Sequence, residues 1–327
     1  MARVSLFAVC SFVALALGTS ACSGGHGAEA PLDPIMGEFA GTLTGVGASA
    51  VQAEGKVLAD EDGKYRVYLL YPAGQAKPTR IELTGIAKDG GVSINSPDWS
   101  GSVGRETLQA ASTKGVKAEM KRTVRTSPTL AQQPPVGAVV LLPFDAKGPT
   151  NLDLWNNKKW KLLPDGSTMT LSGDNKTLKD FGSFKLHVEF CVPFVPAGRG
   201  QGRGNSGVYL HGRYEIQLLD SFGLTMNPGE CGAIYGQKPP DCNASLPPGQ
   251  WQTYDIDFKA PQFDADGKQI RGALITVVLN GVKIQDAVET TKVTGGAWGV
   301  PAKTGPVRLQ DHGNPMRFRN IWLVEQQ

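Results

Sequence analysis

The stretch GRGNSGVYLHGRYEIQLLDSFG, residues 202–223, predicts two β-strands joined by a short turn. In the second strand, Tyr214 and Ile216 alternate with Glu215 and Gln217, and a strand directs alternate side chains to opposite faces. One face of this strand is therefore apolar and suits a core, while the other face carries a carboxylate and an amide. The glycine- and arginine-rich residues before the strands suit a flexible loop that borders a groove.

Similar segments recur through the C-terminal part of the chain. Residues 136–327 contain many short apolar runs separated by turn residues, among them WKLL, FKLHVEFCV, QTYDIDFKA and ALITVVLNG. Asn280 and Gly281 lie between two such runs, and Asn-Gly is the strongest short-range signal for a β-hairpin. Helical periodicity is nearly absent. So many strands in one domain predict an all-β fold with two packed sheets.

A smaller unit precedes this one. Residues 35–130 contain strand-like runs with glycine turns, such as GEFAGTLTG and GKYRVYLLYPAG, and they contain no histidine or cysteine. We interpret them as a small antiparallel β domain. Residues 131–137 contain two prolines and are the predicted linker to the larger domain, residues 138–327.

The charge distribution argues against a nucleic-acid partner. The 327 residues carry a net charge of +3, with 33 basic and 30 acidic side chains interspersed along the chain. Nucleic-acid binding would need basic residues clustered on one face. We therefore expect no nucleic acid among the partners of this protein.

The N-terminus has the features of an export signal. Arg3 is followed by an apolar run over residues 4–18 and then by small residues before Cys22. This pattern predicts a signal peptide over residues 1–21 and a bacterial lipid anchor on Cys22; the alternative is an ordinary secretory signal cleaved nearby. Residues 22–34 are small and polar and form a tether in this interpretation. It predicts a lipoprotein of the periplasm or outer membrane.

Export makes disulfide bonds available to the remaining cysteines. Cys231 and Cys242 flank a short proline-containing loop, CGAIYGQKPPDC. We predict a disulfide bond between them.

Glu215 and Asp220 are the candidate catalytic carboxylates. Asp220 has the wrong parity for the face of Glu215 and Gln217, and a β-bulge before it would bring it to the same side. The pattern Glu-x-Gln-x-x-Asp resembles the Glu-x-Asp-x-x-Glu signature of laminarinase-type glucanases, in which the first Glu is the nucleophile and the last is the acid/base. The structural alternative is that both carboxylates are solvated or paired with Arg213 and Arg203.

A second polar strand lies near the C-terminus, in GPVRLQDHGNPMRFRNIW, where Arg308, Gln310 and His312 share one parity. A histidine beside carboxylates suits proton transfer, so His312 is a third catalytic candidate. A histidine before Gly-Asn-Pro equally suits a structural bond to the turn. The candidates for substrate binding are polar and aromatic residues near the two strands: Asn205, Tyr209, Arg213, Gln217, Arg308, Gln310 and Trp251.

The sequence assigns no cofactor. It has no Cys/His cluster with the spacing of a zinc site. Glu215, Asp220 and His312 could bind a divalent metal once the chain is folded, so the sequence leaves open whether the site holds a metal ion.

Three motifs together resemble the 3-keto-disaccharide hydrolase-like domain family: RGNSGVYLHGRYEIQLLDSFG, PPGQWQTYDIDFKAP and GPVRLQDHGNPMRFRNIW. The resemblance covers about residues 138–325. It implies a concanavalin A-like jelly-roll sandwich and activity on 3-keto-glycosides, including 3-keto-disaccharides, whose C3 hydroxyl has been oxidised to a ketone. In such a substrate a base removes the C2 proton, the C1 substituent leaves, and water adds to the enone.

This chemistry needs a base, a donor for the enolate oxygen and an acid for the leaving oxygen. Glu215 or Asp220 is the candidate base. Arg308, Gln310 or His312 is the candidate donor, and His312 is also the candidate acid.

Two other functions stay open. A conventional retaining glycan hydrolase would use Glu215 and Asp220 and would cleave unoxidised β-glucans. A non-catalytic carbohydrate-binding protein is the second alternative, because the same sandwich also builds lectins. Gln217 in place of a central Asp disfavours the hydrolase, and the cluster of ionisable groups disfavours the lectin.

Overall fold

A computed structural model describes residues 32–144, 152–170 and 172–326. The predicted signal peptide, Cys22 and most of the predicted tether lie outside these residues. The described chain divides into two compact units, and the boundary between them falls between Arg125 and Thr126. Across the described ranges, no helix has the length and apolar character needed to cross a bilayer.

The first unit is a closed antiparallel barrel. Its eight strands, β1 to β8, are Gly37–Thr44, Val51–Ala59, Lys64–Tyr71, Thr79–Lys88, Gly91–Ser96, Trp99–Val103, Thr107–Ser112 and Lys117–Thr123. Each strand pairs with the next along the chain, and β8 pairs with β1 to close the barrel. The prediction of a small antiparallel β domain is confirmed.

Side-chain alternation fills the barrel, and glycine permits its closure. In β8, Ala118 and Met120 are buried inside while their neighbours in the strand are exposed. A Cβ at Gly41 in β1 would lie 2.1 Å from the carbonyl oxygen of Glu119. Only a residue without a side chain allows β1 and β8 to approach this closely.

The second unit contains two main sheets. The larger sheet consists of β9 (Val139–Leu142), β10 (Lys161–Leu162), β11 (Thr168–Met169), β13 (Ser183–Cys191), β16 (Trp251–Lys259), β19 (Ala273–Leu279), β20 (Val282–Thr290) and β22 (Arg317–Gln326). The smaller sheet consists of β12 (Asn175–Lys176), β14 (Ser206–Leu210), β15 (Tyr214–Leu218) and β21 (Arg308–Leu309). A separate short hairpin is formed by β17 (Gln262–Phe263) and β18 (Gln269–Arg271).

All strand pairs in the second unit are antiparallel. The larger sheet has the order β10-β11-β22-β13-β16-β19-β20, with β9 also paired to β22, and the smaller sheet has the order β12-β21-β14-β15. The predicted hairpin is present, because Asn280 and Gly281 connect β19 to β20 with φ angles of 52° and 79°. Positive φ at both positions is the geometry that favours Asn-Gly.

The two sheets pack face to face. The ring of Phe258 in the larger sheet lies 5.1 Å from Phe184 and 5.9 Å from Tyr214 in the smaller sheet, between ring centroids. The Tyr254 hydroxyl donates a 2.6 Å hydrogen bond to the Gln217 carbonyl across the core. The predicted all-β sandwich is therefore confirmed.

Residues 126–137, which we call the 126–137 segment, lie on the outer face of the larger sheet. The Thr129 hydroxyl donates to Asp255 Oδ2 at 2.7 Å. The backbone N–H of Ala131 donates to Glu189 Oε1 at 2.6 Å. This part of the chain is thus held to the sandwich by the buried carboxylate of Glu189 and the partly exposed carboxylate of Asp255.

The predicted disulfide bond is wrong. Cys231 and Cys242 are both buried and carry reduced thiols. Cys231 points into the core, where its Sγ lies 3.2 Å from the Tyr254 hydroxyl. Because its side chain belongs to the sandwich interior, it is not bonded to the cysteine at the other end of the loop.

Candidate active site

The candidate site lies on the outer face of the smaller sheet. In β15, Ile216 and Leu218 are buried in the sandwich core, so Glu215 projects from the opposite face. Its cross-strand neighbour is Tyr209 in β14. Tyr209 in turn pairs with Arg308 in β21, and Arg308 pairs with Lys176 in β12. We call these four side chains, Glu215, Tyr209, Arg308 and Lys176, the polar row.

A glycine makes room for the carboxylate. Gly207 lies in β14 beside Glu215, and a Cβ at this position would be 2.3 Å from Glu215 Oε1. No larger residue fits unless the carboxylate moves. The glycine in the motif NSGVYL is thus explained by the position of the neighbouring acid.

Glu215 receives hydrogen bonds from neutral groups. The Tyr209 hydroxyl donates to Oε2 at 2.8 Å. The Gln217 amide nitrogen, oriented towards its acceptors, lies 3.2 Å from Oε1 and 2.8 Å from the Ser206 carbonyl. Among the described residues, no lysine or arginine forms an ion pair with Glu215, which is only 3% exposed.

This environment favours the protonated acid. Burial raises the pKa of Glu215 to about 7, and the charge of Asp174 adds to the increase, whereas the Tyr209 hydrogen bond and Arg308 oppose it. Burial and the adjacent Glu215 also raise the pKa of Tyr209, so its hydroxyl stays protonated and remains a donor. A carboxyl group with a pKa near neutrality suits proton transfer.

Arg308 is held by stacking and by two oxygen atoms. Its Cζ lies 3.5 Å from the ring centroid of Tyr209 and 4.3 Å from that of Trp298. Its Nη2 donates to the Gly296 carbonyl at 2.8 Å, and its Nε lies 3.5 Å from Asp174 Oδ2. Aromatic rings and acceptors together fix the orientation of the guanidinium.

The loop of residues 291–307, between β20 and β21, covers the row. The Thr294 hydroxyl accepts a hydrogen bond from the Glu215 N–H at 3.0 Å, and the Gly295 carbonyl accepts one from Tyr209 at 3.2 Å. A Cβ at Gly296 would lie 2.7 Å from the Tyr209 hydroxyl, and its φ is +68°. The loop can therefore lie against the row only with glycine at this position.

Two predicted binding residues stand next to the polar row. The Gln310 amide nitrogen lies 3.4 Å from the Tyr209 hydroxyl. Asn205 is buried and donates to the Gln201 carbonyl at 2.9 Å, which fixes the glycine-rich loop beside Gln217. The structure thus brings Glu215, Tyr209, Gln217, Arg308 and Gln310 together, with Asn205 behind them.

Asp220 has a different environment. The pairing of β14 with β15 runs without a bulge, and β15 ends at Leu218, so Asp220 follows the strand. Its Oδ2 accepts a hydrogen bond from Arg203 Nη2 at 2.6 Å, and both side chains are buried. We infer a structural role for this ion pair, as in the alternative drawn from the sequence.

The other predicted residues also contact groups away from the row. His312 is exposed in the turn before β22, where its carbonyl accepts a hydrogen bond from the Asn314 amide. The Arg213 guanidinium donates to the carbonyls of His211 and Thr304, which braces the 291–307 loop. Trp251 is buried under Arg319, whose Cζ lies 4.0 Å from the ring centroid.

The residue that sequence reasoning missed is Asp174. It precedes β12, and its Oδ1 accepts a hydrogen bond from the Asp311 N–H at 2.9 Å. The segment SGDNKTL gives no hint of a site, because β12 is too short to show a pattern. Only its pairing with β21 places Asp174 beside Arg308.

The described residues contain no group of three or more His, Cys, Asp and Glu side chains placed to hold a metal ion. Glu215, Asp220 and His312, which the sequence left open as metal ligands, do not form such a group. The polar row itself supplies a carboxyl, a phenol, a guanidinium and an ammonium group.

Comparisons with known proteins identify the family of the second unit. The sequence profile of the 3-keto-alpha-glucoside-1,2-lyase-like domain family matches residues 141–324. A proposed glycosyl hydrolase of known structure from Parabacteroides distasonis ATCC 8503 is 36% identical, with a TM-score of 0.52, over 59% of this chain and 85% of that chain. Another from the same organism is 22% identical, with a TM-score of 0.40, over 56% of this chain and 98% of that chain. No curated protein matches the chain significantly.

Proposed function

Since the chain belongs to the 3-keto-alpha-glucoside-1,2-lyase-like domain family, we propose that it cleaves 3-keto-glycosides by elimination and hydration. The family and the relative that is 36% identical support a glycoside-acting enzyme. The finer proposal rests on one observation, which is the buried carboxyl group of Glu215 with a pKa of about 7.

The reaction follows from the acidity that a ketone gives to its neighbour. A C3 ketone acidifies the C2 proton, so a base can take that proton and leave an enolate. The electron pair then forms the C1–C2 double bond, and the C1–O bond breaks with its electrons on the leaving oxygen, which takes a proton. Water then adds to the enone, with its hydroxyl at C1 and a proton at C2, and the sum of the two steps is hydrolysis.

We assign the base to Glu215. Its pKa near 7 leaves a large ionised fraction at neutral pH, while the ionised form is basic enough to accept a carbon-bound proton. The Tyr209 hydroxyl at 2.8 Å fixes the direction of the carboxylate. After deprotonation of the substrate, the protonated Glu215 is suitably placed to return its proton.

We assign enolate stabilisation to Arg308 and Tyr209. In the covered site Arg308 donates to the Gly296 carbonyl, and the Gly295 carbonyl lies 3.2 Å from the Tyr209 hydroxyl, whose single hydrogen points to Glu215 while that carboxylate is ionised. Both acceptors are carbonyl oxygens, as is the C3 ketone of the proposed substrate. A C3 oxygen that replaces the carbonyls of residues 295 and 296 would accept a hydrogen bond from Arg308, and one from Tyr209 once Glu215 has taken the C2 proton, while negative charge develops on that oxygen.

The surroundings of Glu215 disfavour a conventional retaining hydrolase. That mechanism needs a second carboxyl group at about 5–5.5 Å on the other side of the glycosidic bond. The predicted second acid, Asp220, is engaged by Arg203. The position between them carries the neutral amide of Gln217, which contacts Glu215 itself.

We also propose that the protein is exported and lipidated at Cys22, on the N-terminal sequence alone. Cells that express the full chain should incorporate labelled palmitate into it, and Cys22→Ala should abolish the label. Incorporation that persists in Cys22→Ala would exclude this anchor.

The test of the proposed activity is product analysis in D₂O. The mature chain is incubated with 3-keto-trehalose, 3-keto-lactose and the two unoxidised disaccharides, and products are followed by NMR and mass spectrometry. We expect cleavage of the keto sugars alone, with deuterium at C2 of the product. Cleavage of unoxidised sugars would identify a conventional hydrolase, and sugar binding without any cleavage would support the lectin alternative.

A further inference from the structure

The polar row runs from a buried end to an open end. Glu215, Tyr209 and Arg308 are almost fully buried, whereas Lys176 at the other end is partly exposed. Trp298, on the covering loop, is 42% exposed. Exposure therefore increases with distance from the proposed base.

Trp298 lies over the open end of the row. Its ring centroid is 4.3 Å from Arg308 Cζ and 5.4 Å from Lys176 Nζ. A Cβ built on Gly212 would be 3.6 Å from the Trp298 ring and 3.7 Å from the Pro306 ring, so both rings lie close to this glycine. The exposed surface thus combines two apolar rings with the ammonium group of Lys176.

The row is longer than a single sugar ring. Its four side chains stand on four neighbouring strands, so the row extends over three strand spacings, about 14 Å. A ring whose C2 proton reaches Glu215 occupies only the buried end. The substituent at C1 of the substrate then lies toward the open end of the row.

We propose that Trp298, Pro306 and Lys176 form a binding subsite for the leaving sugar of a 3-keto-disaccharide. This inference rests on the proposed function of Glu215. The flat apolar face of a pyranose ring suits an indole ring that is anchored from behind by a guanidinium. Its hydroxyl groups suit Lys176 and the half-exposed carboxylate of Asp174 beside it.

The subsite makes the enzyme prefer disaccharides to simple glycosides. Methyl 3-keto-β-galactoside has the reacting ring of 3-keto-lactose but no second ring, so it makes no use of Trp298 as a stacking surface. A stacking contact of about 1–1.5 kcal/mol corresponds to roughly a tenfold difference in kcat/KM between the two substrates.

The experiment compares two variants of Trp298 on both substrates. Trp298→Leu keeps an apolar group over Arg308 but removes the flat ring, whereas Trp298→Phe keeps a flat ring. Ile270→Ala removes an apolar side chain that is 63% exposed on β18 and serves as the control. We measure the ratio of kcat/KM for 3-keto-lactose to that for methyl 3-keto-β-galactoside.

The wild type, Trp298→Phe and the control should favour 3-keto-lactose, and Trp298→Leu should lose most of this preference, by roughly tenfold. A ratio that is the same in Trp298→Leu and the wild type would overturn the subsite. So would a wild type that shows no preference for the disaccharide.

A separate measurement keeps the subsite testable if no keto sugar is cleaved, which would refute the proposed function. Saturation-transfer NMR with unoxidised lactose should show contact with the wild type and with Trp298→Phe, and much weaker contact with Trp298→Leu. Equal signals in all three proteins, or none in the wild type, would refute the subsite as well.

Discussion

The outer faces of the two sheets in the sandwich each carry a buried carboxylate, but the two carboxylates have different hydrogen-bond donors. On the larger sheet, Glu189 accepts hydrogen bonds from Arg319 Nε at 2.8 Å, Asn320 Nδ2 at 2.8 Å and the Ala131 N–H at 2.6 Å. On the smaller sheet, Glu215 accepts from a phenol and an amide. The pKa of Glu189 is lowered although its burial alone would raise it, because the nearby His187 and the hydrogen bonds from Asn320 and Arg319 outweigh the burial.

The histidine of the larger sheet completes this contrast. His187 Nδ1 lies 2.6 Å from Asp255 Oδ1, and the ring stacks on Trp322. Its burial alone would lower its pKa, but the neighbouring carboxylates raise it. Glu189 and His187 are thus each matched by an opposite charge or a strong donor, as buried structural charges require.

The comparison shows how a buried acid is kept reactive. Full pairing stabilises an ionised carboxylate and makes it a weak base, as for Glu189. Glu215 has Arg308 close enough to influence its pKa but not to form an ion pair with it. An incompletely compensated carboxylate destabilises the fold and gains basicity near neutral pH.

The largest effect is expected from Glu215→Gln. This change removes the proposed base and keeps the size of the side chain, so kcat/KM on 3-keto-lactose should fall about a thousandfold. The thermal transition should stay in place or move up at pH 8, because no buried charge has to form. Asp220→Asn is the comparison: if the folded variant loses turnover as completely as Glu215→Gln, the assignment of the base to Glu215 alone is wrong.

The corresponding change on the larger sheet should affect stability instead. Glu189→Gln leaves Arg319 without its partner, and we expect the free energy of unfolding to fall by roughly 3 kcal/mol. Urea denaturation measures this loss. Glu325→Gln makes the same change at an exposed position of β22 and should cost less than about 0.5 kcal/mol. Equal losses in the two variants would contradict the structural role of Glu189.

Gly207→Ala tests the position of the Glu215 carboxylate without replacing a polar side chain. Its Cβ would lie 2.3 Å from Glu215 Oε1 and would displace the carboxylate. A misplaced base costs about a hundredfold in rate, and kcat on 3-keto-lactose measures it. The control is Gly182→Ala, whose Cβ would meet no atom within 4 Å. Full activity in a folded Gly207→Ala protein would refute the described geometry.

The smallest expected change in activity is a shift of the pH profile of kcat/KM. Because the base acts in its ionised form, kcat/KM should rise tenfold per pH unit below about pH 7 and level off above it. Tyr209→Phe removes a hydrogen bond that lowers the pKa of Glu215, so the midpoint should move to higher pH. A midpoint that stays in place or moves down would contradict the role of Tyr209.

Stability should depend on pH with the opposite sign at the two carboxylates. The folded pKa of Glu215 is above its ordinary value of 4.5, so the folded state holds the proton more tightly and its contribution is lost as pH rises towards 7. The folded pKa of Glu189 is lowered, so its contribution is lost as pH falls. Urea midpoints of Glu215→Gln and Glu189→Gln, measured as a function of pH, should show the contributions of the two carboxylates separately.

Sequence patterns predicted the sandwich and half of the site. Period-two alternation in β15 placed Glu215 and Gln217 on one face, and the parity of Arg308 and Gln310 placed them together. The same alternation marks His187 and Glu189 in FKLHVEFCV, on the face that we assign to structure. Alternation shows that a polar side chain points away from the core, but it does not show whether an arginine lies close enough to pair with it.

The remaining features depend on contacts between distant segments. The pairing of β1 with β8 closes the barrel between segments that are far apart in the chain. Asp174 and Arg308 are likewise far apart in the sequence and close in the fold. The disulfide prediction was wrong because loop length says nothing about the direction of a thiol. Such features follow from the packed structure alone.

The most direct test of the central claim is a titration of the carboxyl groups themselves. In a protein labelled with ¹³C at the glutamate side chains, Glu215→Gln and Glu189→Gln identify the two signals. We expect Glu215 to titrate with a midpoint near pH 7 and the pKa of Glu189 to lie below its ordinary value. A Glu215 midpoint at or below that of an exposed glutamate such as Glu325 would contradict the account.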